Sequence, residues 1–219
     1  MHDTVKKFID IINIINSKLE DHKNIALPKV IAVSKTFKLE KIFPLIDYGH
    51  LHYGENKVQE AVDKWKEVKL NNSKIKLHLI GRLQRNKVKY AINIFDYIHS
   101  LDNKKLAKKI YDEEIKQKKK IKIFLQVNIG NEAQKSGINK DELGDLYNYC
   151  KELNLDIIGL MCIPPENENP EKYFQEMSEL NKKYNFLELS MGMSSDYLKA
   201  LESGATYLRI GSSIFGNRT

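Results

Sequence analysis

Eight short apolar runs alternate with helix-length amphipathic segments along nearly the whole chain, and this alternation restricts the possible fold more than any other feature. The runs are KVIAVSK (29–35), HLHYG (50–54), IKLHLIG (75–81), DYIHS (96–100), IKIFLQVN (121–128), DIIGLM (156–161), FLELSMG (186–192) and TYLRIG (206–211). Each has strand length and is bounded by polar or turn-forming residues. Between them, segments at 38–47, 58–68, 86–94, 104–117, 140–153, 170–184 and 196–203 carry helical patterns. Strands separated by single helices and short connections pair in parallel, because a parallel neighbour requires a crossover. The expected fold is therefore α/β, a single (β/α)8 TIM-type barrel. An N-terminal helix precedes it, read through MHDTVKKFIDIINIINSKLEDHK (1–23), with Val5, Phe8, Ile12, Ile15 and Leu19 on one face. Such a barrel uses nearly all of the 219 residues, so 1–219 reads as one domain, and a monomer is expected. A doubly wound open sheet is the rival topology.

Composition removes several function classes. The formal charge is +7, but Arg82, Arg85, Arg209 and Arg218 are the only arginines. The lysines lie along helical patterns such as KKLAKKIYDEEIKQKKK (104–120), where acids interrupt them; this is a solvated helix face rather than a nucleic-acid patch. No stretch approaches the roughly 20 apolar residues of a membrane span, and the opening segment lacks a secretory pattern, so a cytoplasmic protein is expected. Cys150 and Cys162 stand far apart and outside any CxxC spacing, which predicts two buried, reduced thiols. His50 and His52 could meet a metal ion, but no neighbouring acid or thiol completes a set, and no metal site is expected. GxSxG, HExxH, P-loop and GxGxxG motifs do not occur.

In such a barrel the chemistry belongs at the carboxyl ends of the strands. Lys35 ends the first run. An amine leaving an apolar strand faces a partly desolvated pocket, which favours its neutral, nucleophilic form. Taken alone, a lysine there more commonly snorkels to solvent. The last two runs are followed by SMGMSS (190–195) and RIGSSIFG (209–216), where glycine turns and serines can present backbone N–H groups to a phosphate. Ordinary turn and cap chemistry uses the same residues. Arg209 stands at the end of the eighth run, inside this cradle, and can bind a phosphate, a carboxylate or a heterocyclic nitrogen. An amine, a phosphate cradle and a cation around one mouth suit pyridoxal phosphate, which needs all three.

The segments IAVSKTF, HYGENKVQEAVDKW, HLIGRLQRNKVK, LQVNIGNEAQKSGI, GLMCIPP and LSMGMSSDYLKALESGATYLRIGSSIFG follow in this order from Lys29 to Gly216. As an ensemble they resemble the pyridoxal phosphate homeostasis protein family, relatives of the N-terminal barrel of alanine racemase. The resemblance implies pyridoxal 5'-phosphate as cofactor, with Lys35 as the Schiff-base residue. Ser194, Gly211 and Ser212 would hold the phosphate, helped by the backbone around Met193 and Ser213. Arg209 would face the pyridine nitrogen, where a cation disfavours ring protonation, and Asn56 and His78 would lie near the ring. One departure is visible, since Phe37 stands where many relatives carry a second lysine. Lys135 is the remaining candidate for such an amine, or else a solvated loop residue.

The resemblance also implies a role in vitamin B6 homeostasis without established turnover, with no catalytic residues and with pyridoxal-phosphate-dependent apoenzymes as recipients. The alternative is a weak amino-acid racemase. Racemisation needs acid–base groups on both faces of the substrate carbon, and in alanine racemase the opposing tyrosine comes from a C-terminal domain for which this chain has no room. Tyr53 is the in-chain candidate for that role. A Schiff-base aldolase is a third class, separated from the others by the colour of the purified protein.

Overall fold

The computed structural model describes residues 1–20 and 27–216. Residues 21–23 of the expected opening helix, the end of the expected domain and Arg218 lie outside the described residues. Eight parallel strands, β1 (Lys29–Val33), β2 (His52–Glu55), β3 (Lys76–Leu79), β4 (Tyr97–Leu101), β5 (Lys122–Val127), β6 (Asp156–Cys162), β7 (Glu188–Ser190) and β8 (Tyr207–Ile210), follow one another in chain order. They close into a barrel in which β8 pairs with β1, Ile31 lying opposite Arg209. Closure excludes the open sheet.

The helices are α1 (Asp3–Glu20), α2 (Leu39–Asp47), α3 (Val58–Asn71), α4 (Val88–Ile94), α5 (Lys104–Gln117), α6 (Leu143–Glu152), α7 (Glu171–Lys183), α8 (Tyr197–Glu202) and α9 (Ser212–Phe215). The sequence pattern does not announce α9, one short turn directly after β8. The amphipathic α1 buries Phe8, Ile11 and Ile15 and packs against α2 and α9. His50 falls outside β2; its ring Nε2 lies 2.8 Å from the His52 carbonyl oxygen instead.

Strand residues alternate between two cores, as the two-residue period of a pleated strand dictates. Val30, Ala32, Tyr53, Leu77 and Leu79 face outward and pack with helix residues including Ile42, Trp65 and Leu106. Ile31, Val33, Tyr97, Phe124, Met161 and Tyr207 form the inner core within the barrel. Cys150 and Cys162 are both free and buried, and burial pushes each thiol up to about 12. Lysines of the basic run pair along α5, Lys108 with Asp112 and Lys109 with Glu113. No described helix is long and apolar enough to cross a membrane.

Candidate functional site

A cavity of about 870 Å³ opens among the loops that follow the carboxyl ends of the strands. That is the size range of a small-molecule site, roughly 300–1,000 Å³. Lys35, two residues beyond β1, lines it and is half-buried. The segment carrying Lys35 is tied down on both sides. Ser34 N–H donates to the Gly54 carbonyl at 2.9 Å, and Ser34 Oγ donates to Glu55 Oε1 at 2.8 Å. The Thr36 N–H donates to Glu60 Oε1 at 2.7 Å. Thr36 itself has φ +69°, a left-handed conformation that is costly for a β-branched residue and is sustained here by that bond.

Glu55 points away from the cavity, toward α3. Its Oε1 accepts from Lys64 Nζ and Trp65 Nε1, each at 2.9 Å, while Oε2 is buried without a partner among the described residues. Burial pushes this carboxyl above its usual range, against the downward pull of Lys64, Trp65 and Ser34. The carboxylate thus pins the end of β1 to α3 from behind.

On the other side of the mouth, the loops after β7 and β8 converge. Gly192 has φ +85°, and a Cβ there would stand 2.6 Å from Ala200 Cβ, so the turn requires glycine twice over. Asp196 Oδ1 accepts from Met193 N–H at 2.6 Å and fixes the turn from its far end. Ser194 Oγ accepts from the Gly211 and Ser213 amides, at 3.2 and 3.4 Å, and so joins the two loops. The amides of Ser194, Ser195 and Ser212 make no hydrogen bond among the described residues, and all three residues line the cavity. Unpaired N–H groups converging on a mouth are a seat for an anion.

Arg209 reaches the cavity from inside β8 and is 4% exposed. One guanidinium nitrogen donates to Ser190 Oγ and the other to the Cys162 carbonyl oxygen, both at 2.8 Å. Neither acceptor is charged. Burial pushes the guanidinium below its usual range, yet it remains a cation, as arginine does throughout proteins.

The structure brings Lys35, Asn56, Met193, Ser194, Arg209, Gly211 and Ser212 to this one cavity. Gly81 helps to place Asn56, because a Cβ there would collide with the Asn56 carbonyl at 2.4 Å. Ser213 contributes only its amide, through Ser194. His78 is a correction: it does not line the cavity. Just beyond β3, Ile80 takes the lining position, and His78, two residues earlier on the same inward face, falls one layer deeper. There it is fully buried and stacked on Tyr97 at 4.2 Å. Tyr53 is also displaced from its expected position, since it faces outward onto Trp65 with ring centroids 4.8 Å apart.

Phe37 lines the cavity and packs on Phe215 at 5.3 Å. Lys135 lies at the rim, with Nζ 2.6 Å from Glu132 Oε2 and donating to the Pro164 carbonyl at 3.0 Å. Ser190 enters the sequence pattern only as the first residue of SMGMSS, and His99 only as part of the DYIHS run. Strict alternation within DYIHS would have placed Tyr97 and His99 inside the barrel.

The fold and the site define a class. The family model described as alanine racemase, N-terminal domain, matches residues 13–219. Within that class, the pyridoxal phosphate homeostasis protein of Aquifex aeolicus (strain VF5) is 42% identical over 200 residues, 87% of this chain and 87% of that protein. The chain belongs to the pyridoxal phosphate homeostasis protein family. Among solved structures, PipY of Synechococcus elongatus PCC7942, described with PLP bound, superposes with a TM-score of 0.81 at 31% identity, covering 92% of this chain and 100% of that one. Alanine racemase of Clostridium difficile 630 shares the fold, with a TM-score of 0.70 at 14% identity, covering 93% of this chain and 56% of that one.

Proposed function

We propose that this chain binds pyridoxal 5'-phosphate in the cavity at the carboxyl mouth and holds it through Lys35. In this reading it is a cytoplasmic carrier for vitamin B6 homeostasis that serves pyridoxal-phosphate-dependent apoenzymes. The observation that carries the reading is convergence: Lys35, the buried Arg209 and the unpaired amides of Ser194, Ser195 and Ser212 border one cavity. These groups match the molecule part for part. Pyridoxal phosphate supplies an aldehyde that condenses with an amine and a ring that can withdraw electrons. Lys35 provides the amine. The amides and the serine hydroxyls hold a phosphate, and Arg209 donates toward a ring nitrogen without giving up its own proton. A cation that cannot release a proton leaves that nitrogen a hydrogen-bond acceptor, which suits holding more than electron withdrawal.

A carrier is favoured over a racemase because Tyr53 is directed to the far side of the sheet and no tyrosine lines the cavity among the described residues. The purified protein is expected to be yellow, and borohydride is expected to fix the cofactor on the peptide containing Lys35. A Lys35→Ala variant that retains the same reducible chromophore overturns the assignment. Chiral analysis after incubation with L- and D-amino acids separates carrier from racemase.

A further inference from the structure

Below the cavity, the barrel interior holds an unbroken file of side-chain hydrogen bonds from Arg209 to the opposite mouth. Ser190 Oγ lies 2.9 Å from His99 Nδ1, His99 Nε2 lies 3.0 Å from His78 Nδ1, and His78 Nε2 lies 2.9 Å from His52 Nδ1. The four residues come from four strands: β7, β4, β3 and β2. His78 and His99 are fully buried, and His52 is half-buried at the amino end of β2. Aromatic rings sheathe the file. Tyr97 stacks on His78 and Phe124 on His99, each at 4.2 Å, and Tyr207 meets both imidazoles at 5.8 and 6.1 Å.

Arg209 sets the direction of this file. A guanidinium has donors and no acceptor, so Ser190 Oγ must accept from it. The serine hydroxyl hydrogen then has one other partner among the described residues, His99 Nδ1. His99 therefore carries its proton on Nε2 and donates to His78 Nδ1. By the same step His78 carries its proton on Nε2 and donates to His52 Nδ1, which leaves His52 as an Nε2–H tautomer facing the lower mouth. The reverse arrangement would satisfy the same ring nitrogens but would leave the Ser190 hydroxyl hydrogen without a partner among the described residues.

We propose that Ser190, His99, His78 and His52 are positioning residues for Arg209, forming a polarised ladder of neutral dipoles that holds the buried cation in place of a carboxylate. All three imidazoles turn their lone-pair ends toward the guanidinium, and bonds in such a chain polarise one another. No ion pair of Arg209 occurs among the described residues; Asp196, the acid whose field reaches it, is engaged with Met193 N–H. A carboxylate in contact would cancel much of the charge. Neutral dipoles fix the guanidinium and leave its charge directed into the cavity. The low proton affinity of His78 and His99 agrees, since an added proton on either would break the file and place a second cation beside Arg209.

The ladder is tested without reference to any ligand by long-range ¹H–¹⁵N imidazole NMR on the full chain, which reports the tautomer of each ring. His52, His78 and His99 are expected as neutral Nε2–H tautomers near pH 7. An Nδ1–H tautomer or an imidazolium at His78 or His99 overturns the proposal. Ser190→Ala should abolish the single tautomeric state of His99, and Ser190→Thr, which keeps the hydroxyl, should restore it. A structural filler would treat alanine and threonine alike, and that outcome also overturns it. Toward the proposed cofactor, Ser190→Ala should displace the absorption maximum of bound pyridoxal phosphate and Ser190→Thr should return it; an unmoved maximum in the alanine variant removes the ladder's claim on Arg209. If no form of the protein binds pyridoxal phosphate, the cofactor assignment fails while the tautomer measurement still decides the ladder.

Discussion

At the carboxyl mouth, the anion seat is built from main-chain amides and short side chains of two successive turns; one layer below, the polar groups are imidazoles contributed by three separate strands. The upper groups leave hydrogen-bonding capacity unspent. The lower groups spend theirs on each other inside an aromatic sleeve. Unspent donors in a large opening can exchange a ligand against water. Satisfied groups in a dry interior can only fix geometry, and disturbing them costs the desolvation of whatever loses its partner. The difference assigns ligand capture to the upper layer and orientation and stability to the lower one, with Arg209 bridging them.

The largest expected effect breaks this division at its upper end. Lys35→Ala should eliminate all borohydride-fixed cofactor and its absorbance, while the chemical-denaturation midpoint stays at the wild-type value, because the side chain lines a cavity rather than a core. Mass analysis of the reduced protein and a urea titration check the two halves. A large drop in stability would mean that Lys35 belongs to the structural layer.

Acid should break the lower layer. Burial pushes His50 and His52 down to about 4, and His78 and His99 well below their usual value. These rings are neutral in the fold, whereas in the unfolded chain they take up protons below about pH 6.5. Their contribution to stability is complete above that pH and is lost as pH falls below it, continuing to about 4 for His50 and His52 and further for the other two. Each fully buried ring contributes a slope of about 1.4 kcal/mol per pH unit in that window and the half-buried His50 and His52 less, so His78 and His99 together approach roughly 3 kcal/mol per pH unit. Against a typical total of about 5–15 kcal/mol, unfolding is expected between about pH 6 and 4. Trp65, the sole tryptophan and buried against Tyr53, reports it by fluorescence. A flat signal down to pH 4 would show that these histidines are not neutral and buried as a set.

The two layers also differ in how much of them the sequence discloses. The alternation of runs and amphipathic segments discloses the barrel, because it is written locally in each unit. The cradle is legible for the same reason: Gly192 to Ser195 and Gly211 to Ser213 are contiguous stretches whose turn chemistry is intrinsic. The ladder is not written in any one stretch. It arises because His78 is opposite Gly54 on one side and Tyr97 on the other, a register set by barrel closure and by the irregularity in β4 between Ile98 and Leu101. The same logic explains His78, assigned to the ring by its strand and removed from it by its depth. It explains Glu55 as well, which sits in a polar strand end but turns outward to Trp65.

A smaller effect sharpens the lower half of the comparison. His78→Leu is close in volume but takes the partners from His52 Nδ1 and His99 Nε2. Stranding two buried polar atoms should cost about 2–4 kcal/mol, visible as a lower urea midpoint at unchanged slope. Cofactor should still be fixed on Lys35, since the cradle and the amine are untouched. Loss of fixation with full stability would reverse the division of labour.

The smallest expected effect tests whether the cradle is held by its own serine. Ser194→Ala removes the hydroxyl oxygen that gathers the Gly211 and Ser213 amides. The turn keeps its shape through Gly192 and the Asp196 bond to Met193, and both stranded amides lie where water can reach them, so stability should change by less than about 1 kcal/mol. Preference for pyridoxal 5'-phosphate over unphosphorylated pyridoxal should fall about tenfold, a loss of about 1.4 kcal/mol that appears only when phosphate is present. Competition titrations with the two compounds read this directly. An unchanged preference would mean that the free amides alone hold the phosphate, and that the two loops need no hydroxyl between them to do so.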